Sequence, residues 1–457
     1  MLTEAEYGKA KRDLLFRSRG GEYFGFGPGV TVSLLEEDRD LITLPRSYWW
    51  EELRSKDVED RMSRGERVDF VFNPGEDKDR FKQLSDAQDR AIAEFFSKMG
   101  RQESPFKHGI FCAECGQGKT VCACKMMAKL KRTTAVVVDK DFLIRQWRER
   151  LERFLGLGKD DVGEVRQSKS RIDGCKVVLC MAQTLYSRGR NEKLENFAGL
   201  LIVDEVHKFG APLFQTVVPR FSASVRIGLT ATPRRSDGLQ GIFERHMGKV
   251  LTVMDTVRVV DCKVYALAVP MVVPSNYYMP RSGDKVYMSR LINWLAKNRK
   301  RNAILLRVLC RALEKGRKVI ALSDRLEQVH LLADEVERRM PQYRVLRYVG
   351  ATKKKDQAKA HEADLLIGTY GMAKDALDLP ALDTLVFLTP KADVEQPVGR
   401  ILRGCAGKKD PMVVDPIDAI SDVGGREVKN DILGRFWGKR ARLYAAKGFE
   451  IISHGGG

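Results

Sequence analysis

Short runs of aliphatic and β-branched residues recur along this chain, and amphipathic stretches separate them. Between about residues 81 and 256 the runs are Ile110–Cys112, Ala135–Val138, Lys176–Met181, Leu200–Val203 and Val225–Leu229. Near-continuous apolar runs are typical of parallel strands that are buried on both faces of a sheet. The pattern therefore predicts strands that alternate with helices.

The same rhythm begins again after residue 302. Its apolar runs are Lys318–Leu322, Arg344–Val349, Leu365–Thr369, Thr384–Leu388 and Met412–Val414. Two α/β domains in tandem, each with a parallel sheet covered by helices, explain both halves most simply. We place these domains at residues 78–256 and 257–457.

Residues 1–77 differ from the rest and predict a small β-containing N-terminal domain. The runs Val30–Leu35 and Leu41–Leu44 flank the charged segment 36–40, which predicts a hairpin with a charged tip. Five cations stand near the start of the chain: Lys9, Lys11, Arg12, Arg17 and Arg19. A solvated basic arm and a DNA-contacting domain that recognises branches both fit these residues.

The composition describes a globular, strongly basic chain. Of 457 residues, 43% are hydrophobic, and the formal net charge is +19. This charge favours a polyanionic partner, with nucleic acid as the first candidate and an anionic membrane surface as the second. The sequence has no run of 18 apolar residues and a polar N-terminus, so we expect no membrane span, no export signal and a cytoplasmic location.

A glycine-rich loop follows the first of the apolar runs. It reads Ala113-Glu114-Cys115-Gly116-Gln117-Gly118-Lys119-Thr120 and leads into the helical stretch Val121–Lys131. The backbone amides of Gly116, Gln117 and Gly118 can approach phosphate oxygens at the start of a helix. Lys119 can then reach the β- and γ-phosphates of ATP, and Thr120 can ligate Mg²⁺. The first residue of this motif is alanine, where the usual pattern has glycine.

The nine cysteines are expected to be thiols in a reducing compartment. The spacing of Cys112, Cys115, Cys122 and Cys124 invites comparison with a zinc site. However, Cys115 lies inside the phosphate loop, and the next two lie in the helix that follows, where a metal would compete with the nucleotide. We therefore expect no zinc.

An acidic pair follows the apolar run Leu200–Val203. Carboxylates at the carboxyl end of a parallel strand lie where a nucleotide enzyme needs a magnesium ligand and a base. Asp204 is predicted to hold the metal, and Glu205 to orient the attacking water. His207 is predicted to couple this site to movement, with a histidine bonded to nearby backbone as the alternative.

Three further residues complete the predicted nucleotide site. Thr230 and Thr232 follow the run Val225–Leu229, where their hydroxyls can bond the acidic pair and transmit the state of the γ-phosphate. A turn stabilised by these hydroxyls is the alternative. Gln88 carries an amide that can read the edge of adenine.

The second α/β domain contains Gln396-Pro397-Val398-Gly399-Arg400-Ile401-Leu402-Arg403. On a helix, Arg400 and Arg403 project from one face because they are three residues apart. The charge on a transferred phosphoryl group requires such guanidinium groups, so Gln396 and both arginines are predicted to be catalytic. A solvated basic helix face is the alternative.

In this order and spacing, the motifs resemble those of the superfamily 2 helicases. Asp204–His207 reads as a DEVH box, as in XPB, and residues 229–238 and 399–403 are similar to XPB and to phage UvsW-type branch-migrating helicases. Segments 136–140, 146–147 and 183–185 match DNA-contacting motifs of that group. Residues 369–380 resemble its motif V, with Ala376 where a glycine is usual.

The resemblance covers about residues 80–450 and leaves the N-terminal segment unexplained. It implies two tandem RecA-like domains, with ATP and Mg²⁺ as cofactors and a single strand held through its phosphates. By motif position it implies the nucleic-acid contacts Thr184, Arg188, Thr369 and Lys374, and a coupling role for Asp378.

Two basic patches come from the sequence alone. Arg299 and Lys300 belong to a cluster with Lys297 and Arg301 that follows Trp294. The segment 426–447 combines seven Lys and Arg with two Asp and Glu, and it interleaves Phe436, Trp437 and Tyr444. Base stacking suits this combination, and inward packing of the aromatic rings is the alternative.

The sequence therefore predicts an ATP-dependent DNA helicase or translocase. We expect it to unwind or branch-migrate forked and junction DNA without sequence preference, in replication, recombination or repair, and in a bacteriophage context. An RNA helicase and an ATP-gated DNA-binding scaffold with slow turnover remain as alternatives. A P-loop kinase or a signalling GTPase leaves residues 396–403 unexplained, and the sequence names no protein partner.

Overall fold

The structure, a computed structural model, describes residues 2–17, 31–38, 41–53, 60–74, 82–114, 116–209, 213–231, 239–256, 261–278, 280–281, 285–286, 288–350, 358–371, 379, 381–402, 408–423, 426–427 and 432–454. The chain divides into two compact units, residues 1–257 and 258–457. None of the described helices combines the length and the apolar character that crossing a membrane requires.

Helices flank the sheet of each unit. Those of the first unit are α1 (Glu4–Asp13), α2 (Arg46–Tyr48), α3 (Lys82–Gly100), α4 (Lys119–Leu130), α5 (Asp141–Leu155), α6 (Ala182–Arg188), α7 (Glu192–Phe197) and α8 (Gln240–Met247). Those of the second unit are α9 (Ser275–Tyr278), α10 (Met288–Lys297), α11 (Arg299–Glu314), α12 (Leu326–Arg339), α13 (Glu395–Ile401) and α14 (Ile432–Ala446). Single helical turns of other types occur at Trp49–Leu53, Val206–Lys208, Leu213–Val217, Val218–Arg220 and Ala358–Glu362.

The strands of the first unit are β1 (Leu15–Arg17), β2 (Thr31–Ser33), β3 (Glu36–Asp38), β4 (Leu41–Thr43), β5 (Lys107–Cys112), β6 (Thr134–Val138), β7 (Val162–Arg166), β8 (Lys169–Arg171), β9 (Val177–Met181), β10 (Leu200–Val203), β11 (Val225–Thr230) and β12 (Val250–Val253). The strands of the second unit are β13 (Lys263–Val273), β14 (Pro280–Arg281), β15 (Lys285–Val286), β16 (Val319–Ser323), β17 (Val345–Tyr348), β18 (Leu365–Thr369), β19 (Thr384–Phe387), β20 (Met412–Val423), β21 (Arg426–Glu427) and β22 (Glu450–His454).

The main sheet of the first unit has the order β12-β5-β11-β10-β6-β9-β7-β8. All neighbours are parallel except the edge pair β7 and β8. Every residue of β6, β9 and β10 is buried, because apolar clusters cover both faces of the sheet. One cluster includes α3, α4 and α5, and the other includes α8 and the N-terminal segment.

The main sheet of the second unit has the order β17-β18-β16-β19-β20-β13-β22, with β21 antiparallel on β20. Its other neighbours are all parallel. The predicted α/β class with two tandem RecA-like parallel-sheet domains is confirmed, and each of the ten predicted apolar runs forms a strand. The long strand β13 was not predicted. Pro270 interrupts it, and its sequence does not alternate regularly between polar and apolar residues.

The N-terminal hairpin is shifted relative to its prediction. Strands β3 and β4 form it, so the charged residues Glu36, Glu37 and Asp38 lie in a strand rather than at a tip. Strand β2, from the predicted first arm, pairs instead with β1. Six residues of this segment share one apolar core with β10 and α8: Ala10, Leu14, Val32, Leu34, Leu35 and Tyr48. A domain boundary at residue 77 stays a prediction.

Candidate nucleotide-binding site

The glycine-rich loop connects β5 to α4 at the carboxyl edge of the first sheet. Gly116 and Gly118 adopt φ values of 87° and 78°, a left-handed conformation that favours glycine. At Gly118 a Cβ atom would lie only 2.5 Å from Gln88 Nε2, so a side chain would fill the loop. Helix α4 begins at Lys119, and its first amide groups point towards the loop, as an anion site at a helix N-terminus requires.

Gln88 supports this loop from helix α3. The side chain is buried, and its Nε2 donates a hydrogen bond of 3.0 Å to the carbonyl oxygen of Gln117. One donor of the amide is therefore committed to the phosphate loop. The predicted contact of Gln88 with adenine stays a prediction.

Asp204 lies directly after β10, beside the loop. It is 5% exposed, and its Oδ2 accepts a hydrogen bond of 2.9 Å from Trp147 Nε1. Trp147 lies on α5 and is fully buried. The indole therefore packs inward and orients the carboxylate, and the match of segment 146–147 to a DNA-contacting motif stays a prediction.

Glu205 takes a left-handed backbone conformation, with φ of 51°, at the end of the same strand. For a residue with a Cβ atom this conformation costs about 1 kcal/mol or more, and such strain persists where surrounding contacts enforce it. One carboxylate oxygen lies 3.4 Å from Lys119 Nζ, and the other lies 3.4 Å from His207 Nδ1. The turn thus aims the carboxylate back at the phosphate loop.

His207 connects this carboxylate to the neighbouring strand. Its Nδ1 is 2.7 Å from the hydroxyl oxygen of Thr230, a fully buried residue at the end of β11. The Thr230 carbonyl accepts a hydrogen bond of 3.0 Å from the amide of Ala113, where the phosphate loop begins. Lys119, Glu205, His207 and Thr230 therefore form one connected group across β5, β10 and β11.

The two carboxylates ionise differently because their surroundings differ. Burial and the adjacent charge of Glu205 raise the pKa of Asp204, although Trp147 opposes this. Burial also disfavours the ionised form of Glu205, but the positive charges of Lys119 and Lys208 outweigh it and lower its pKa. At the end of β6, burial raises the pKa of Asp139.

These residues fit a nucleotide with Mg²⁺. Glu205 Oε2 and Asp139 Oδ1 are buried and make no hydrogen bond to any residue that the structure describes, and the loop at Gly118 has room for no side chain. Thr120 and Asp204 are the residues that would hold the metal, since they offer a hydroxyl and a carboxylate beside the loop. A divalent cation there would also compensate the clustered negative charge.

Several other predicted residues belong to the second unit or fall outside the described residues. In the second unit, Gln396 and Arg400 lie on α13 and are half-buried. Thr369 ends β18, and Arg299 and Lys300 are exposed in the first turn of α11. Thr232, Lys374, Asp378 and Arg403 lie outside the described residues.

Two nucleic-acid candidates of the first unit have contrasting surroundings. Thr184 is 8% exposed, and its hydroxyl oxygen accepts a hydrogen bond of 3.1 Å from the amide of Gln167. Arg188, one turn later on α6, is exposed. Their contacts with nucleic acid stay predictions.

Both basic patches of the second unit contain buried residues, as the alternative of inward packing allowed for segment 426–447. Arg301 is 1% exposed and pairs with Asp418 at 2.6 Å, so it belongs to the core rather than to the surface cluster. Arg440 pairs with Asp415, and Tyr444 is fully buried and donates to the same carboxylate. Inward packing therefore explains these two residues of segment 426–447.

The cysteines next to the loop are buried thiols. Cys112, Cys122 and Cys124 are at most 3% exposed. Burial raises the pKa of Cys122 and of Cys124 to about 12. Thiols with such pKa values are poor metal ligands at neutral pH. Cys115 lies outside the described residues.

Comparisons with known proteins found similar sequences and folds. The family model "Type III restriction enzyme, res subunit" matches residues 81–235. The protein L396 of Acanthamoeba polyphaga mimivirus, whose name proposes an ATP-dependent RNA helicase, is 28% identical over 337 residues, covering 70% of this chain and 62% of the relative. The "DNA 3'-5' helicase XPB" of Kineococcus radiotolerans is 34% identical over 137 residues, covering 29% of this chain and 24% of the relative.

The chain thus spans less than two thirds of the length of both relatives. Among solved structures, S. cerevisiae Dbp5 bound to RNA and ADP BeF3 is similar with a TM-score of 0.52 and 12% identity. The similarity covers 82% of this chain and 92% of that one. At this identity it shows the shared two-domain fold.

Proposed function

Because the chain belongs to the superfamily 2 helicases, with motifs of the XPB and UvsW type, we propose that it is an ATP-hydrolysing enzyme that moves along DNA and unwinds it. Forked and junction DNA are the proposed substrates, read without sequence preference. The observation that carries this proposal is the connected group formed by Lys119, Glu205, His207 and Thr230. It combines a phosphate-binding lysine and a carboxylate base with a path to the next strand.

In this proposal each residue has a separate task. The amides of Gly116 and Gly118 and the ammonium group of Lys119 bind the phosphates of ATP. Mg²⁺, held by Thr120 and Asp204, would neutralise charge on those phosphates. Glu205 accepts a proton from the attacking water, for which a lowered pKa keeps it ionised.

His207 and Thr230 are proposed to report the reaction to the rest of the first unit. The 2.7 Å contact joins His207, which lies 3.4 Å from Glu205, to Thr230 of β11, whose carbonyl is bonded to the start of the phosphate loop. A change at Glu205 would therefore alter contacts on three strands. Variants at His207 should lose unwinding more than hydrolysis.

The second unit is proposed to supply positive charge during hydrolysis through Arg400, with Gln396 and Arg403. Arg400→Ala should lower DNA-stimulated ATPase about 10²–10³-fold, as removal of a transition-state donor does. DNA affinity should remain within a few-fold. Arg338→Ala, an exposed arginine on α12, is the matched control. Equal loss in both variants would remove Arg400 from the reaction.

The substrate is tested by strand displacement with the full chain. Forks, Holliday junctions, tailed DNA duplexes and RNA duplexes are compared at one salt concentration, because phosphate contacts depend strongly on salt. Displacement of forks and junctions with little activity on RNA supports the proposal. The name of the mimivirus relative favours RNA as a second candidate, and preferential displacement of RNA would establish it. Binding without displacement would instead indicate a scaffold.

Branch recognition by the N-terminal segment is the finest part of the proposal. Lys9 and Lys11 are paired with Glu52 and Glu37, whereas Arg12 and Arg17 are exposed. Arg19, the fifth cation, lies outside the described residues. Because the segment shares its core with the first sheet, charge reversal is a better test than deletion.

The double variant Arg12→Glu, Arg17→Glu should lose most fork unwinding and keep ATPase stimulated by single strands. Arg101→Glu, at the end of α3, is the control for a change in net charge. Full fork unwinding by the double variant would show that the segment is only structural.

A further inference from the structure

A cluster of basic side chains lies at the edge of the first sheet opposite the phosphate loop. Arg226 and His108 lie near the starts of β11 and β5 and are partners in the register of these parallel strands. His246 comes from α8, and Arg46 comes from α2 in the N-terminal segment. The cluster therefore joins the N-terminal segment to the first sheet.

Arg226, His108 and His246 are buried and Arg46 is half-buried, and the nitrogens of the cluster are only partly bonded. Arg226 is 2% exposed and donates to the carbonyl oxygens of Phe221 and His246 at 2.7 Å and 3.4 Å. Arg46 donates to the carbonyl oxygen of Ala223 at 2.7 Å and stacks on the Phe106 ring at 4.7 Å. Among the residues that the structure describes, the remaining nitrogens have no hydrogen-bond partner, and they are shielded from solvent: Arg46 Nε and Nη2, Arg226 Nε, and both ring nitrogens of His246.

Within the described part of the chain, the arginines of this cluster are not ion-paired. No carboxylate in the described residues forms an ion pair with Arg46 or Arg226, and Asp60 is the acidic group that favours the charge of Arg46. Burial and the two guanidinium groups, with Lys107 acting on His108, lower the pKa of His108 and of His246 to about 3. A buried cation such as Arg226 is costly without an anion, since pairing does not offset its desolvation.

From this geometry we propose that Arg46, Arg226 and His246 form a buried binding site for a small oxyanion of the size of inorganic phosphate. Guanidinium groups present paired N–H donors that match tetrahedral oxyanions, and His246 adds a ring N–H. A bound oxyanion would satisfy the unpartnered nitrogens and compensate both charges. Its occupancy would hold the N-terminal segment on the first sheet, independently of the helicase activity.

The test uses the full chain carrying Lys119→Ala, so that the phosphate loop does not report the binding. Equilibrium dialysis with radioactive inorganic phosphate should show one bound ion per chain. Thermal unfolding at constant ionic strength should shift upwards by roughly 3–6 °C when phosphate replaces chloride. Arg226→Gln and Arg46→Gln in the same background should lose both the bound ion and the shift.

Arg245→Gln is the matched control, because this residue lies beside the cluster and is half-buried against Tyr48 and Glu51. It should keep both signals. If one arginine variant does not fold, His246→Phe retains the volume, and at least a tenfold loss of phosphate affinity is expected. No saturable phosphate binding by the Lys119→Ala chain, or binding unchanged in the cluster variants, would overturn the proposal.

Discussion

The carboxyl edges of the two sheets have the same strand topology but treat their polar side chains in opposite ways. In the first unit, Glu205 and Asp139 keep buried oxygens without a hydrogen bond, and Glu205 holds a left-handed backbone. In the second unit, Arg301 is bonded to both oxygens of Asp418 and to the Leu388 carbonyl. Among the described residues, every unpartnered buried side-chain nitrogen or oxygen lies in the first unit.

This difference in hydrogen bonding indicates which sheet edge is suited to bind a ligand. A saturated network is rigid, because each member has its partners, whereas unpaired groups are costly until a ligand pairs with them. Gln328 of α12, for example, bonds Ser323, Asn302 and the Leu388 carbonyl. Among the described residues, the buried polar side chains of the second unit thus have their hydrogen-bond partners, whereas the first unit keeps unpaired groups that a ligand could pair with.

The largest expected effect tests the unpaired edge directly. Glu205→Gln removes the base but keeps the shape, so it should reduce ATP turnover about 10²–10⁴-fold while ATP–Mg²⁺ still binds. Lys119→Ala should instead weaken nucleotide binding itself. Turnover and binding are measured separately on the full chain. Near-normal turnover of Glu205→Gln would show that the unpaired edge is not the catalytic one.

The saturated edge should respond in stability rather than in binding. Arg301→Met leaves Asp418 buried and unpaired, so it should cost about 3–5 kcal/mol. The double variant Arg301→Met, Asp418→Leu should recover most of this loss, since both charges are gone. Calorimetry of the full chain compares the three proteins. Equal destabilisation of the single and double variants would contradict the role assigned to the pair.

Acid should destabilise the first unit through its buried histidines. His108 and His246 have pKa values lowered to about 3 by burial, against about 6.5 when unfolded. Because unfolding takes up protons below pH 6.5, each should lose about 2 kcal/mol of stability between pH 7 and pH 5. Thermal unfolding of His246→Phe should show a shallower pH dependence than the parent. Identical slopes would mean that His246 is already protonated or exposed.

The smallest effect sharpens the role of the orienting bond to Asp204. Trp147→Phe keeps an aromatic ring but removes the 2.9 Å hydrogen bond, so ATPase should fall about 10-fold. Trp294→Phe, which removes an indole packed at a tilted angle against Tyr277 in the second unit, should leave ATPase unchanged. The two variants are compared at saturating ATP. A similar loss in both would point to packing rather than orientation.

The sequence predicts those features of the two units that depend on a local pattern of residues. The apolar runs predicted the strands, and an acidic pair after Leu200–Val203 predicted the carboxylate site. The bond from Trp147 was not accessible, because its partner is 57 residues away and an inward-facing tryptophan resembles any core residue. The left-handed φ of Glu205 also gave no signal, since it depends on contacts with distant residues.

The exposure of the basic residues likewise could not be predicted from the sequence. A run such as 297–301 has one composition whether its members face solvent or the core. Arg299 and Lys300 are exposed. Arg301 is buried, because it forms an ion pair with Asp418, which lies on a strand more than a hundred residues later. Only tertiary packing distinguishes the three positions.

Strand β13 has a consequence for how the chain is made. It opens the second unit, yet its neighbours are β20 and β22, so Lys263 lies beside Met412 and Glu450. During synthesis from the N-terminus, the first sheet is complete once β12 has emerged, whereas β13 must wait for almost the whole remaining chain. Pairing over such sequence separations is slow, because a long loop must close before the contacts form. The first unit can thus fold during synthesis, well before the second unit can complete its sheet.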